Sequence, residues 1–166
     1  MAPGSGAATQ AASNLRPREI LETSNPDQGG RARHVTATPR AIELTEIAAL
    51  AAADKLANDI VAYDVSDQLA ITDTFLLCSG ANDRQVRSII DEVELRLKQA
   101  GATLVRREGE NEGRWVLLDY NDLVVHVQNK EERVFYALER IWKDCPVIPL
   151  PEAATVGNPA TSGDAR

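Results

Sequence analysis

Histidine and cysteine are scarce in this 166-residue chain, and their scarcity removes most metal and nucleophile chemistry at once. The two histidines, His34 and His126, form no pair and no HExxH. The two cysteines, Cys78 and Cys145, have no metal-ligand spacing. GxGxxG, GxxxxGK[ST] and GxSxG are all missing. A Ser or Cys nucleophile needs a positioned base, and no pattern nominates one. No apolar run approaches the length of a membrane span. The N-terminus has no apolar signal region, and Glu19, Glu22 and Asp27 argue against a transit peptide. The sparse cysteines suit a reducing compartment, so a cytoplasmic protein is expected, without cofactor or metal.

What is present is uneven. Residues 1–37 and 151–166 are dominated by small and polar residues. Such segments bury too little apolar surface to offset the entropy of ordering them. Both are read as flexible tails around one domain spanning 38–150. Charge is split as well. Residues 1–40 hold five Arg against three acids, whereas residues 41–142 hold nineteen acids against eleven Lys and Arg. An acidic domain is a poor ligand for a phosphate backbone and suits a basic protein surface better. Solubility alone accounts for the acidity equally well.

The spacing predicts eight elements in the order α-β-β-α-β-β-β-α. Thr38 caps a first helix with Pro39 at its first position, and the helix runs to about Asn58. Residues 59–64 and 73–79 read as strands. Asn82 and Gln85 form a capping-box pattern for a second helix. Its apolar stripe is Val86, Ile89, Ile90, Val93 and Leu97, and Gly101 ends it. Glu92–Arg96 and Glu94–Lys98 are i,i+4 pairs on its other faces. Residues 103–107 form a third strand. Residues 114–120 and 123–128 form a hairpin turning at Asn121-Asp122. Asn129 caps a last helix expected to bury Val134, Phe135, Leu138 and Ile141 or Trp142. The fold class is therefore α/β, a mixed five-stranded sheet covered by helices.

Carboxylates are the abundant functional candidates. Asp64 with Asp67, or Asp119 with Asp122, could hold Mg²⁺ in a metal-dependent nucleotidyltransferase-like enzyme. The plainer reading is that aspartate suits turns because it bonds nearby backbone N–H groups. The Glu108–Glu112 stretch reads as a solvated acidic loop.

The ordered set of local sequences resembles one family. The first half holds Asp59-Ile60, Asp64-Val65, Ile71-Thr72-Asp73, Phe75 and Ser79-Gly80. Then come Arg84-Gln85-Val86, Glu108-Gly109, Trp115-Val116-Leu117-Leu118-Asp119-Tyr120, Asp122 and Val124-Val125-His126-Val127. Arg133, Tyr136, Leu138-Glu139 and Trp142 complete it. Over about residues 40–145 the chain resembles the ribosomal silencing factor family, also called RsfS, YbeB or Iojap. Thr74 departs from it, where many members carry a bulkier residue. The resemblance implies a nucleotidyltransferase-like fold without its catalytic site, and no enzyme activity. It implies a repressor that binds the large ribosomal subunit through ribosomal protein L-fourteen. The bound factor blocks joining of the small subunit when nutrients are short. It also implies a homodimer when free, little direct nucleic-acid contact and no membrane. A ribosome-assembly scaffold without effect on subunit joining is the other binding reading. Ser79-Gly80 reverses the Gly-Ser turn of such enzymes, and Arg106 and Arg107 stand where metal-binding carboxylates would be wanted.

Strand alternation places Trp115, Leu117 and Asp119 on one face, and Val116, Leu118 and Tyr120 on the other. Leu123, Val125 and Val127 share a face opposite to Val124 and His126. One face must pack on helices, and the second could be an exposed apolar patch flanked by acids. The resemblance implies partner contacts at Trp115, Asp119 and Tyr120, extended here to Leu118, Asp122 and His126. Trp115 and Tyr120 would be anchors worth about 2 kcal/mol or more. Core packing for Trp115, a turn-flanking role for Tyr120 and a backbone-satisfied structural histidine at 126 remain alternatives. Tyr136 and Trp142 are assigned to the core.

Overall fold

A computed structural model describes residues 35–109 and 112–156. The tail readings for 1–34 and 157–166, and positions 110 and 111 of the acidic loop, lie outside the described residues. The elements are α1 (Pro39–Asp54), β1 (Asn58–Asp64), β2 (Thr74–Gly80), α2 (Asp83–Gln99), β3 (Arg106–Glu108), β4 (Trp115–Asp119), β5 (Leu123–Asn129) and α3 (Lys130–Tyr136). A 3₁₀ turn (Leu138–Arg140) and α4 (Glu152–Thr155) follow. The sheet order is β1-β2-β5-β4-β3. Only β2 and β5 run parallel; the other neighbours are antiparallel, so the sheet is mixed as expected.

The caps form where the sequence places them. Thr38, Asn82 and Asn129 each accept from a backbone N–H three residues on. Gln85 departs from the reciprocal box. Its Oε1 accepts from the Ala81 N–H, and its Nε2 donates to the carbonyls of Lys55 and Leu56, tying α2 to the end of α1. That end comes earlier than expected: α1 stops at Asp54, and Leu56 turns the chain with φ +61°. Glu92 pairs with Arg96 at 2.9 Å, but Glu94 reaches across to Arg107 on β3.

Two cores result. On one face α1, α2 and Ala154 of α4 cover Leu76, Cys78, Val116, Leu118, Val125 and Val127. On the other, Leu138, Trp142 and Cys145 close over Phe75, Leu77, Trp115, Leu117 and Val124. Ala37 and Ala154 are both buried, so the packed unit reaches past both ends of the expected 38–150.

The last helix is shorter than its sequence stripe suggests. Ala137 adopts φ +44° and ψ +52°, which ends α3 after seven residues. The rotation leaves Val134 and Phe135 each 80% exposed and turns Arg133 inward. The expected burial of Val134 and Phe135 is thus corrected, whereas Leu138 and Trp142 are buried and Tyr136 is half-buried.

Asp64 shows why a turn aspartate need not be a metal ligand. Its carboxylate is buried and accepts from the backbone N–H groups of Thr36, Ala37 and Ser66 and from the Ser66 hydroxyl. The Thr36 hydroxyl donates to Asp67 at 3.3 Å. Asp64 therefore fastens the chain entering α1 to the end of β1. Asp64→Ala leaves four donors without that acceptor, and unfolding in urea should show a loss of about 2–4 kcal/mol. A loss under about 0.5 kcal/mol would refute this structural role.

Candidate partner-binding surface

The β4–β5 hairpin brings the six proposed contact residues together, at very different depths. Leu117 opposes His126 and Asp119 opposes Val124 on one face; Leu118 opposes Val125 on the other. Alternation therefore sorts the side chains as the sequence indicates, but neither face is left open. Trp115, Leu118 and His126 are completely buried, and Tyr120 is nearly so. The exposed apolar patch expected on one face is absent among the described residues, because Leu138, Trp142 and Cys145 cover the second face.

Trp115 and His126 form a pair. The Trp115 Nε1–H donates to His126 Nδ1 at 3.2 Å, so the histidine bonds a side chain rather than backbone. With Nδ1 accepting, the neutral ring carries its proton on Nε2. Phe75 meets the imidazole edge-on at 5.1 Å between centroids. Burial drives the His126 pKa down to about 3, and the nearby Arg133 guanidinium pushes the same way. Neutral imidazole is the form this site accepts. Tyr136 lies over Trp115 with ring centroids 4.6 Å apart.

Tyr120 sits at the rim of a shallow pocket lined with Glu94, Lys98, Ala102, Thr103 and Leu104. Burial pushes its phenol up to about 12; Glu94 adds to this and Arg107 opposes it. Leu118 lies inside the helix-covered core, where it contributes to the floor beneath α2. Among the six, Asp119 is half-buried and Asp122 is exposed. The Asp119 carboxylate accepts from the Asn121 N–H at 2.9 Å, which helps hold Asn121 at φ +67°. The Asp122 carbonyl accepts from the N–H groups of Asp73 and Thr74, at 3.1 and 3.0 Å. The turn is therefore rigidly joined to the start of β2.

The hairpin is also held close to β3. A Cβ at Gly109, where φ is +83°, would come within 2.0 Å of the Trp115 carbonyl oxygen. Only glycine allows this approach.

The catalytic alternative finds little support. No cluster of three or more His, Cys, Asp or Glu side chains able to hold a metal occurs among the described residues. Arg106 pairs with Glu108 and Arg107 with Glu94, so the third strand carries paired cations where metal-binding carboxylates would be required. Cys78 is buried in the core and its thiol is pushed up to about 12 by that burial, the opposite of an activated nucleophile. No helix among the described residues is long and apolar enough to cross a membrane.

Sequence reasoning missed two features. Arg133 is buried, and it donates to Glu139 and to the Asp59 carbonyl. Val134 and Phe135 stand outward beside Lys130 and Glu131. The helical stripe pointed the other way, and Ala137 carries no local signal of a left-handed turn.

Comparison with known proteins places this geometry. A family model described as "Ribosomal silencing factor during starvation" matches residues 38–166. The chain is 42% identical over 107 residues to "Ribosomal silencing factor RsfS" of Bacillus subtilis (strain 168), covering 64% of this chain and 91% of that one. A crystal structure of a Bacillus halodurans protein superposes with a TM-score of 0.58 at 38% identity, covering 65% of this chain and 98% of that one. The mouse protein "Mitochondrial assembly of ribosomal large subunit protein 1" is 28% identical over 89 residues, covering 52% of this chain and 39% of the mouse protein.

Proposed function

Because this chain belongs to the ribosomal silencing factor family, we propose that it binds the large ribosomal subunit through ribosomal protein L-fourteen and sterically blocks subunit joining. Translation is thereby lowered under nutrient limitation, in the cytoplasm and by binding rather than catalysis. The observation that carries this reading is the family match across nearly the whole described domain. The acidity of residues 41–142 agrees with it, since nineteen acids against eleven bases favour a basic protein partner. Asp119 and Asp122, at the accessible turn, would pair with cations of that partner. Trp115, Leu118, Tyr120 and His126, all buried, hold the hairpin rigid behind them.

Co-sedimentation with purified large subunits tests this directly. Wild type should pellet, and the folded double variant Asp119→Lys/Asp122→Lys should bind at least about tenfold more weakly, since reversing charges at an interface places like charges together. Added wild type should also reduce joining of small to large subunits in a sucrose gradient. Wild type that stays in the supernatant would refute the reading. The mouse relative, named for mitochondrial assembly of the large ribosomal subunit, favours a second one, a scaffold in large-subunit assembly. Binding to large-subunit precursors but not to mature subunits would select it.

A further inference from the structure

The loop between β1 and β2 ends in the local sequence Ile71-Thr72-Asp73. Thr72 is buried, and the Asp73 carboxylate accepts from the Thr38 N–H at 2.9 Å, where α1 begins. Ile71 has no such role. It is 85% exposed, more than any other large apolar side chain among the described residues. A lone exposed apolar residue is ordinary on a mobile loop, but this loop is tied down on both sides of Ile71. The Val65 N–H donates to the Asp73 carbonyl at 2.9 Å, the Val65 carbonyl accepts from Gln68 and Leu69, and Leu69 packs against the second core. The N–H groups of Asp73 and Thr74 bond the Asp122 carbonyl, so the loop and the hairpin turn form one unit. A β-branched side chain held this way has little freedom to lose on binding.

The surroundings are acidic. Asp67 and Asp122 are exposed, and Asp73 and Asp119 are half-buried, at this same end of the sheet. Arg106, the cation opposite Asp119 on β3, turns to Glu108 at 3.1 Å. An apolar anchor inside a charged rim is the anatomy of a protein interface. Carboxylates in that rim select a basic protein over the phosphates of RNA.

We propose that Ile71 is the apolar anchor of the partner surface, seated on a basic protein of the large subunit while Asp67, Asp119 and Asp122 pair with cations around it. The inference rests on the large-subunit reading above and adds the β1–β2 loop to the contact. With Trp115 and Tyr120 buried, the hairpin turn offers acids but no exposed large apolar side chain. Exposed ion pairs alone contribute little, so the surface needs an anchor from a neighbouring element, and Ile71 is joined to the turn through Asp73.

Ile71→Ser removes an exposed side chain, so its urea midpoint should match that of wild type. In co-sedimentation with purified large subunits it should bind about tenfold more weakly or worse. Ile71→Val keeps most of the apolar surface and should stay within about fourfold of wild type. Leu56→Asn is the control. Leu56 is 77% exposed near the opposite end of the sheet, and asparagine tolerates its φ of +61°; this variant should bind like wild type. A benzophenone side chain placed at position 71 should form a photo-adduct with ribosomal protein L-fourteen. An adduct with ribosomal RNA or with any other protein would overturn the anchor. So would an equal loss of binding in Leu56→Asn, or a fall in the Ile71→Ser midpoint as large as that of a core truncation. If wild type pellets and folded Ile71→Ser pellets equally well, the anchor is refuted and the family function stands. If wild type does not pellet, both are refuted.

Discussion

Trp115→Ala should cost about 3–5 kcal/mol of folding stability, the range for truncating a large buried aromatic. The indole is completely buried, between Tyr136 on one side and the Phe75, Leu117 and Leu138 cluster on the other. Truncation removes that packing and leaves His126 Nδ1 without its donor at the heart of the second core. A small domain holds only about 5–15 kcal/mol in total, so a large share of its stability is at stake. Urea titration followed by far-ultraviolet circular dichroism would measure the loss. Trp115→Phe keeps most of the bulk and removes the Nε1–H bond, so it should lose roughly 1–2 kcal/mol. Loss of ribosome binding in the alanine variant is therefore meaningful only beside a folded phenylalanine variant. A change below about 1 kcal/mol for Trp115→Ala would show that the side chain is not the packed element described here.

Much of this architecture can be read from local chemistry. Thr38-Pro39, Asn82 and Asn129 mark three helix starts because each motif satisfies a backbone N–H that no helical carbonyl can reach. The second helix is legible because five apolar residues recur at helical spacing, and all five are buried. The hairpin faces are legible because a strand has a period of two, and the register confirms the sorting residue by residue. The depth of those faces is a different matter. Whether Trp115 is exposed depends on residues 138–145, which are distant in sequence and fold over it only because Ala137 breaks the helix. A left-handed alanine has no signature comparable to glycine, so the stripe Val134, Leu138, Ile141 read as one continuous helix. The candidate site follows the same division. Asp119 and Asp122 are legible as turn acids and remain accessible, while the pairing of Trp115 with His126 needs the β4–β5 register and the tertiary cover together.

The neutral state of His126 sets the response to acid. In the unfolded chain its pKa is the ordinary 6.5, and in the folded protein it falls to about 3 through burial and the Arg133 charge. Below pH 6.5 the unfolded chain therefore binds a proton that the native state refuses. Stability from this group is fully present above about 6.5, is lost as pH falls toward 3, and changes no further below that. The slope approaches about 1.4 kcal/mol per pH unit, and integrated over the full interval it amounts to at most roughly 5 kcal/mol. Half of that interval should already produce a fall in urea midpoint easily seen between pH 6.5 and about 4.7. His126→Leu removes the titrating group, so its midpoint should fall less steeply over the same range. It should also start lower at pH 7, because Trp115 Nε1–H loses its acceptor. The two curves must therefore converge as acid is added. Curves that stay parallel from pH 7 to 4 would mean that His126 titrates normally in the native state, and the buried Trp115–His126 pair would have to be abandoned.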